Sequence, residues 1–220
     1  MISKFIFHIG IWAIRKSLRK EYGQEVYRNF VSEAKKQFKH IMSLTPDIGN
    51  SVFKFNFAFT PCYIAWYKAF LYLKMDNDTI IGWIWKIHEN LLSSVPQGLL
   101  KWYGAKVYLG GFRKNAVKHE IRQTQKLLHD YDYKIKFKNI DDTTFEIKIY
   151  QCGMKKLCEE NGATGLFPGV CRIDYLLSHY MGCGFFRTKT LSDGHEYCDC
   201  RYSMTGDCEW SPEKGFENRK

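Results

Sequence analysis

Between residues 171 and 201 the chain concentrates side chains that nucleophilic and acid–base chemistry need: Cys171 and Asp174, Arg187 and Thr190, then Cys198, Asp199, Cys200 and Arg201. Thiols attack electrophilic carbons, carboxylates take up and return protons, and guanidinium groups grip anions with a planar fork. Chemistry of that kind works only where such groups converge. The elements that carry them must therefore bring some thirty residues of chain back onto one place.

A helix predicted over Phe167–Met181 sets Cys171 and Asp174, three residues apart, on one face. Phe185–Leu191 and His195–Tyr202 read as strands, and Asp193-Gly194 between them is a strong short hairpin signal. A two-residue turn there pairs Ser192 with His195, Lys189 with Cys198 and Arg187 with Cys200. Alternation then puts Arg187, Lys189, Cys198 and Cys200 on one face, with Thr188, Asp199 and Arg201 on the other. Cations beside a thiol favour its thiolate. The competing use of a strand cysteine is as a small buried hydrophobe, and Asp199 and Arg201 have an alternative use in pairing across a sheet edge.

These residues resemble a known family, the L-2-amino-thiazoline-4-carboxylic acid hydrolases. The resemblance rests on Cys171 and Asp174 on a helix, an Arg-x-x-Thr strand (Arg187, Thr190), a glycine turn (Gly194) and a Cys-Asp-x-Arg strand (Cys198, Asp199, Arg201). Weaker echoes lie in Pro46–Asn50, in Trp66–Phe70 and in Cys152 and Cys158. Cys200 departs from the pattern, which has an aromatic residue between the aspartate and the arginine. The resemblance implies water addition to C2 of a 2-amino-thiazoline ring, with carbon–sulfur cleavage to an N-carbamoyl cysteine. It also implies roles: Cys171 or Cys198 as nucleophile, Asp174 or Asp199 as general base, and Arg187, Thr190 and Arg201 as contacts to an anionic substrate. The covalent and the direct water route both stay open, and no cofactor is called for.

Two other functions draw on the same residues. Cys198-x-Cys200 with Cys208 and either His195 or Cys183 supplies possible zinc or iron–sulfur ligands, although the spacing matches none of the zinc knuckles with two-residue gaps. A non-catalytic small-molecule-binding module would keep the pocket, but it has no need of Asp174 and Asp199 together with thiols.

The net charge of +10, from 33 Lys and Arg against 23 Asp and Glu, suits a small anionic substrate. No nucleic-acid module accompanies the basic residues between Lys101 and Lys138, so nucleic acid is not the expected partner. Eight cysteines in a chain of 220 residues without a cleavable signal pattern read as reduced thiols of a cytoplasmic protein. The apolar run Phe5–Ile14 is too short to cross a bilayer and reads as the buried face of a helix, so membrane association is not expected.

The remaining periodicities complete the layout. A helical stripe of Val26, Phe30, Ala34, Phe38 and Ile41 ends at Pro46–Asn50, and Phe53, Phe55, Phe57 and Phe59 alternate like an extended segment. Helices follow over Cys62–Leu92, interrupted near Asp76–Asp78 with Asp78 as N-cap, and over Phe112–His129 after Gly110-Gly111. Tyr133–Lys138 and Phe145–Tyr150 alternate as two antiparallel strands, and a short helix runs near Cys152–Glu160. His119 and His129 read as surface or satisfied helix histidines, and Trp83 and Trp85 as core aromatics. The ordering argues an α+β fold in one domain: a helical half to about residue 130, packed with a small antiparallel sheet made of two hairpins, then a polar tail after about Asp207 that frays.

Overall fold

The computed structural model describes residues 2–208; the tail expected to fray lies, from residue 209 on, outside them. The architecture is α+β. Helices α1 (Ile2–Leu44), α2 (Lys54–Phe57), α3 (Thr60–Tyr72), α4 (Asn77–Ser93), α5 (Gln97–Trp102) and α6 (Gly110–Thr124) precede strands β1 (Lys134–Asn139) and β2 (Thr144–Gln151). Helices α7 (Gly153–Glu160) and α8 (Phe167–Met181) separate these from β3 (Gly184–Phe186) and β4 (Cys198–Ser203). The described residues divide into two compact units, one built from residues 2–47, Phe55–Leu91 and Met154–Val170, the other from Ile48–Lys54, Leu92–Gly153 and residues 171–208.

In the first unit the apolar stripes of α1 fold onto α3. Phe7 stacks on Phe38 at 4.1 Å between ring centroids, and Phe30 on Phe70 at 4.3 Å. The α1 backbone breaks at Gly23, whose φ of 87° favours glycine. At Gly10 the two helices come so close that a Cβ would sit 2.3 Å from the Trp66 ring. Helix α4 starts on Asp76 rather than Asp78, because Asp76 accepts the Thr79 N–H at 2.9 Å and its hydroxyl at 2.7 Å. The phenylalanine alternation after residue 52 does not make an extended segment. Ser51 accepts the Phe53 N–H on its hydroxyl and the Lys54 N–H on its carbonyl, and this turn leads into the single turn of α2.

The second unit holds an antiparallel sheet of strand order β1-β2-β4-β3. Pairing of Ile147 with Cys200 and of Phe145 with Tyr202 sets one apolar face, while Glu146, Lys148, Asp199 and Arg201 take the other. Edge strand β1 is shielded by α6: Glu120 accepts the Phe137 N–H at 2.7 Å, and Gln123 bonds both backbone groups of Ile135. The Gly110-Gly111 pair does not stand ahead of a separate helix but forms the first residues of α6. It lies inside a continuous helical run whose middle turn, Tyr103–Leu109, is wound as a π-helix, a form often found at functional sites.

Candidate functional site

The predicted helix over residues 167–181 is found with those bounds, and it ends in a Schellman motif. Gly182 takes φ of 61°, its N–H reaches the His179 carbonyl, and the Cys183 N–H reaches the Ser178 carbonyl. That termination turns the chain straight into β3. Cys171, Asp174, Tyr175 and Ser178 share one face of α8 by helical spacing.

Arg187 closes onto this face. One guanidinium nitrogen donates to Asp174 Oδ2 at 2.9 Å, the other to the carbonyl of Cys171, and the plane lies 5.3 Å from the Phe185 ring centre and 5.7 Å from that of Tyr175. The Tyr175 hydroxyl donates back to the Arg187 carbonyl at 2.9 Å. With a side chain only 6% exposed, Arg187 is spent on holding the protein's own groups; Asp174, at 28%, keeps an open side. Burial lifts the Asp174 carboxyl above its ordinary value, and the Arg187 charge and hydrogen bond oppose the rise without cancelling it.

The two-residue hairpin at Asp193-Gly194 is not what forms. Laddered pairing stops at Phe186 with Arg201, in the register the turn signal predicts. Beyond it the Asp199 N–H bonds the Lys189 carbonyl, one residue out of that register. Lys189 accordingly leaves the cysteine face, with its Nζ 5.3 Å from the Tyr197 ring centre. The reason lies in Thr190-Leu-Ser-Asp193, a Thr-x-x-Asp capping pattern. The buried Thr190 hydroxyl accepts the Asp193 N–H, starts a 3-10 turn over Leu191–Asp193, and Gly194 at φ 83° ends it.

That turn creates a connection which the hairpin reading missed. The Cys171 thiol donates to Ser192 Oγ at 3.5 Å, the Ser192 and Thr190 hydroxyls lie 2.7 Å apart, and Thr190 donates to Asp193 Oδ2 at 2.6 Å. Thr190 has one proton and gives it to Asp193, so Ser192 donates to Thr190 and accepts from Cys171. A line of hydrogen bonds thus runs from the thiol to a carboxylate.

Of the other expected residues, Cys198 and Cys200 lie beside Arg187, while Asp199 and Arg201 lie across the sheet. Cys198 and Cys200 are buried in an apolar cluster with Tyr175, Phe185 and Cys208. Burial pushes the Cys198 thiol up to about 11 and raises that of Cys200 as well, so desolvation outweighs the nearby Arg187 and both remain protonated at neutral pH. Asp199 faces the other side of the sheet, where its carboxylate accepts the Thr188 N–H at 2.9 Å, the Lys189 N–H at 2.5 Å and the Thr188 hydroxyl at 2.5 Å. Arg201, on that same face, pairs with Glu146 at 2.5 Å. Among the described residues no three His, Cys, Asp or Glu side chains are grouped to hold a metal ion.

Asp174 borders a narrow, tightly closed cleft lined by Tyr108, Leu109, Leu177, Ser178, Met181, Cys183 and Tyr202. Tyr108 and Leu109 come from the π-turn. Burial, with the Asp174 charge adding to it, holds the Tyr202 phenol well above its usual range, so it stays a proton donor. A larger open cleft lined by Ser93, Ser94, Val95, Pro96, Gln97 and Tyr180 carries none of these groups.

No curated protein matches the chain. Residues 104–202, just under half of the chain, match the family model described as L-2-amino-thiazoline-4-carboxylic acid hydrolase, and they take in all but one residue of the π-turn, all but one residue of the sheet strands and every side chain of the site. That segment, with the Cys171, Asp174 and Arg187 arrangement inside it, is similar to the L-2-amino-thiazoline-4-carboxylic acid hydrolase family.

Proposed function

We propose that the chain is a hydrolase that opens a small cyclic amidine or thiazoline by adding water, with Asp174 as general base and Arg187 as the residue that positions it. The observation that carries this reading is the Asp174 carboxylate, pinned on one side by Arg187 at 2.9 Å and bordered on the other by a cleft inside the family segment. The cleft is closed to a water-sized molecule as it stands, so a small ring enters only as the side chains that line it part.

In the proposed step Asp174 takes a proton from water as its oxygen attacks C2 of the ring. The electron pair of the C2–N double bond goes to the ring nitrogen, which takes that proton from Asp174. The C2 hydroxyl then gives its proton to Asp174 as the carbonyl forms and carbon and sulfur separate, and Asp174 passes it to the departing sulfur, which leaves an N-carbamoyl thiol. A base whose pKa is raised toward the working pH is better suited to these transfers than an ordinary surface carboxylate. The Tyr202 phenol is the candidate donor to charge developing in the cleft.

The line of hydrogen bonds from Cys171 to Asp193 favours a second reading, in which the thiol attacks C2 and loses its proton along that line. Two substitutions separate the routes, with ring opening of L-2-amino-thiazoline-4-carboxylate followed by mass spectrometry. Asp174→Asn lowers turnover by about a hundredfold to ten-thousandfold if Asp174 is the base. Near-normal turnover in Asp174→Asn would end the primary reading. Cys171→Ser retains most activity on the direct route and loses it on the covalent one, where a mass adduct on Cys171 also accumulates in wild type.

A further inference from the structure

From residue 2 to residue 20 the chain has no acidic side chain, while Lys4, Arg15, Lys16, Arg19 and Lys20 are all present and exposed. Helix α1 buries Ile6, Phe7, Gly10, Ile11, Ile14 and Leu18 along one side, which accounts for the apolar run as a core face. The opposite side is apolar too. Phe5 is 67% exposed, Trp12 65% and Ile2 50%, and the spacing of 2, 5, 9 and 12 puts Ile2, Phe5, Ile9 and Trp12 along one stripe of the helix. Lys16 and Arg19 continue that stripe by one further turn. A stripe of large exposed apolar side chains extended by cations is not needed for packing and calls for a partner.

We propose that this outer face of α1 binds an anionic lipid surface, lying in the plane of the membrane interface with Phe5 and Trp12 inserted and Arg15, Lys16, Arg19 and Lys20 against the headgroups. The charge pattern selects the partner. A second copy packed isologously on the same face would bring its own cations against these with no carboxylate from residues 2–20 to answer them, and like charges across an interface cost affinity. A negative surface answers every one of them, and the aromatic side chains suit the boundary between headgroup and acyl chain. No helix among the described residues is long and apolar enough to cross a membrane, so the mode is lying on the surface rather than spanning it.

Cosedimentation of the full chain with vesicles of phosphatidylcholine, alone or mixed with phosphatidylglycerol, tests the proposal. Binding to the mixed vesicles, falling as salt is raised and weaker by about tenfold or more on phosphatidylcholine alone, is the expected result. The pair Phe5→Ser and Trp12→Ser changes only exposed side chains and is expected to weaken binding by about tenfold or more with circular dichroism unchanged. The pair Lys16→Glu and Arg19→Glu leaves the apolar stripe in place and is expected to remove the preference for phosphatidylglycerol. Absence of binding, or equal binding to both vesicles, overturns the proposal. So does a concentration-dependent dimer that Phe5→Ser with Trp12→Ser dissolves, since that would give the face to a second copy.

Discussion

Asp174 and Arg187 form a pair in which one member is exposed enough to react and the other too buried to do anything but hold it. Removing the holder's charge has a directional consequence. Burial raises the Asp174 carboxyl and Arg187 opposes the rise, so Arg187→Met leaves the desolvation unopposed and pushes the carboxyl higher still. Because a general base works only when deprotonated, the acid limb of the pH–rate profile moves to higher pH in Arg187→Met. An acid limb that stays in place would separate Arg187 from Asp174. A second buried group ties pH to stability rather than to rate. His88 donates from Nδ1 to the Ile84 carbonyl at 2.9 Å and meets the Tyr63 hydroxyl at 2.8 Å, and burial lowers its pKa to about 4 from an ordinary 6.5. The unfolded chain therefore takes up this proton first. The stability that His88 contributes is complete above about pH 6.5 and is lost as pH falls toward 4, on the order of 3 kcal/mol in all. Urea unfolding of wild type and His88→Gln at neutral pH and near pH 4.5 checks it: the wild type loses more stability between the two.

At the scale of elements, the 187–197 connection is the part that local chemistry builds. Asp199 satisfies two backbone donors and one hydroxyl of Thr188 and Lys189, so Asp199→Ala is expected to cost about 1–3 kcal/mol in urea unfolding and to speed amide exchange at those two residues. Unchanged exchange there would leave Asp199 without this role. Period-based features of the fold were legible in the sequence. Helix α8, strands β1 and β2 and the inward cysteines all followed from spacing of 3.6 or 2, because each has one buried face to enforce it. What escaped was decided by single side chains reaching the backbone. Ser51 folded the alternating phenylalanines into a turn and a short helix, Asp76 displaced Asp78 as the cap, and the Thr190 cap overrode the Asp193-Gly194 turn signal. The site was legible to the same extent. Cys171, Asp174 and Arg187 came together as spacing and pairing implied, whereas burial keeps the Cys198 thiol protonated at neutral pH and the facing of β4 carried Asp199 and Arg201 to the other side of the sheet. The Ser192 to Asp193 line was hidden because those residues were read only as a turn, and Tyr108 because nothing in the sequence announces a π-turn.

For the whole molecule the net charge of +10 sets the surrounding field. The same excess of cations that the outer face of α1 would turn toward a lipid surface also acts on anything small and charged that approaches the cleft. Sequence periodicity accounted for the buried side of α1 and left its exposed side without a use, since a pattern shows which residues repeat and not how many faces the fold has covered. Substrate approach offers a cleaner measure of the field than lipid binding does. If the natural substrate is a small carboxylate, its encounter with a positive molecule is steered, and steering is screened over a Debye length of about 10 Å at 0.1 M salt. Raising ionic strength should then lower kcat/KM for L-2-amino-thiazoline-4-carboxylate while leaving kcat nearly constant, because the field acts on arrival and not on the buried chemistry. The corresponding carboxamide, with the same ring and no charge, should show a kcat/KM that salt does not change. Parallel salt dependence for acid and amide would place the effect on the protein itself, and the anionic substrate would have to be abandoned even if ring opening by Asp174 held.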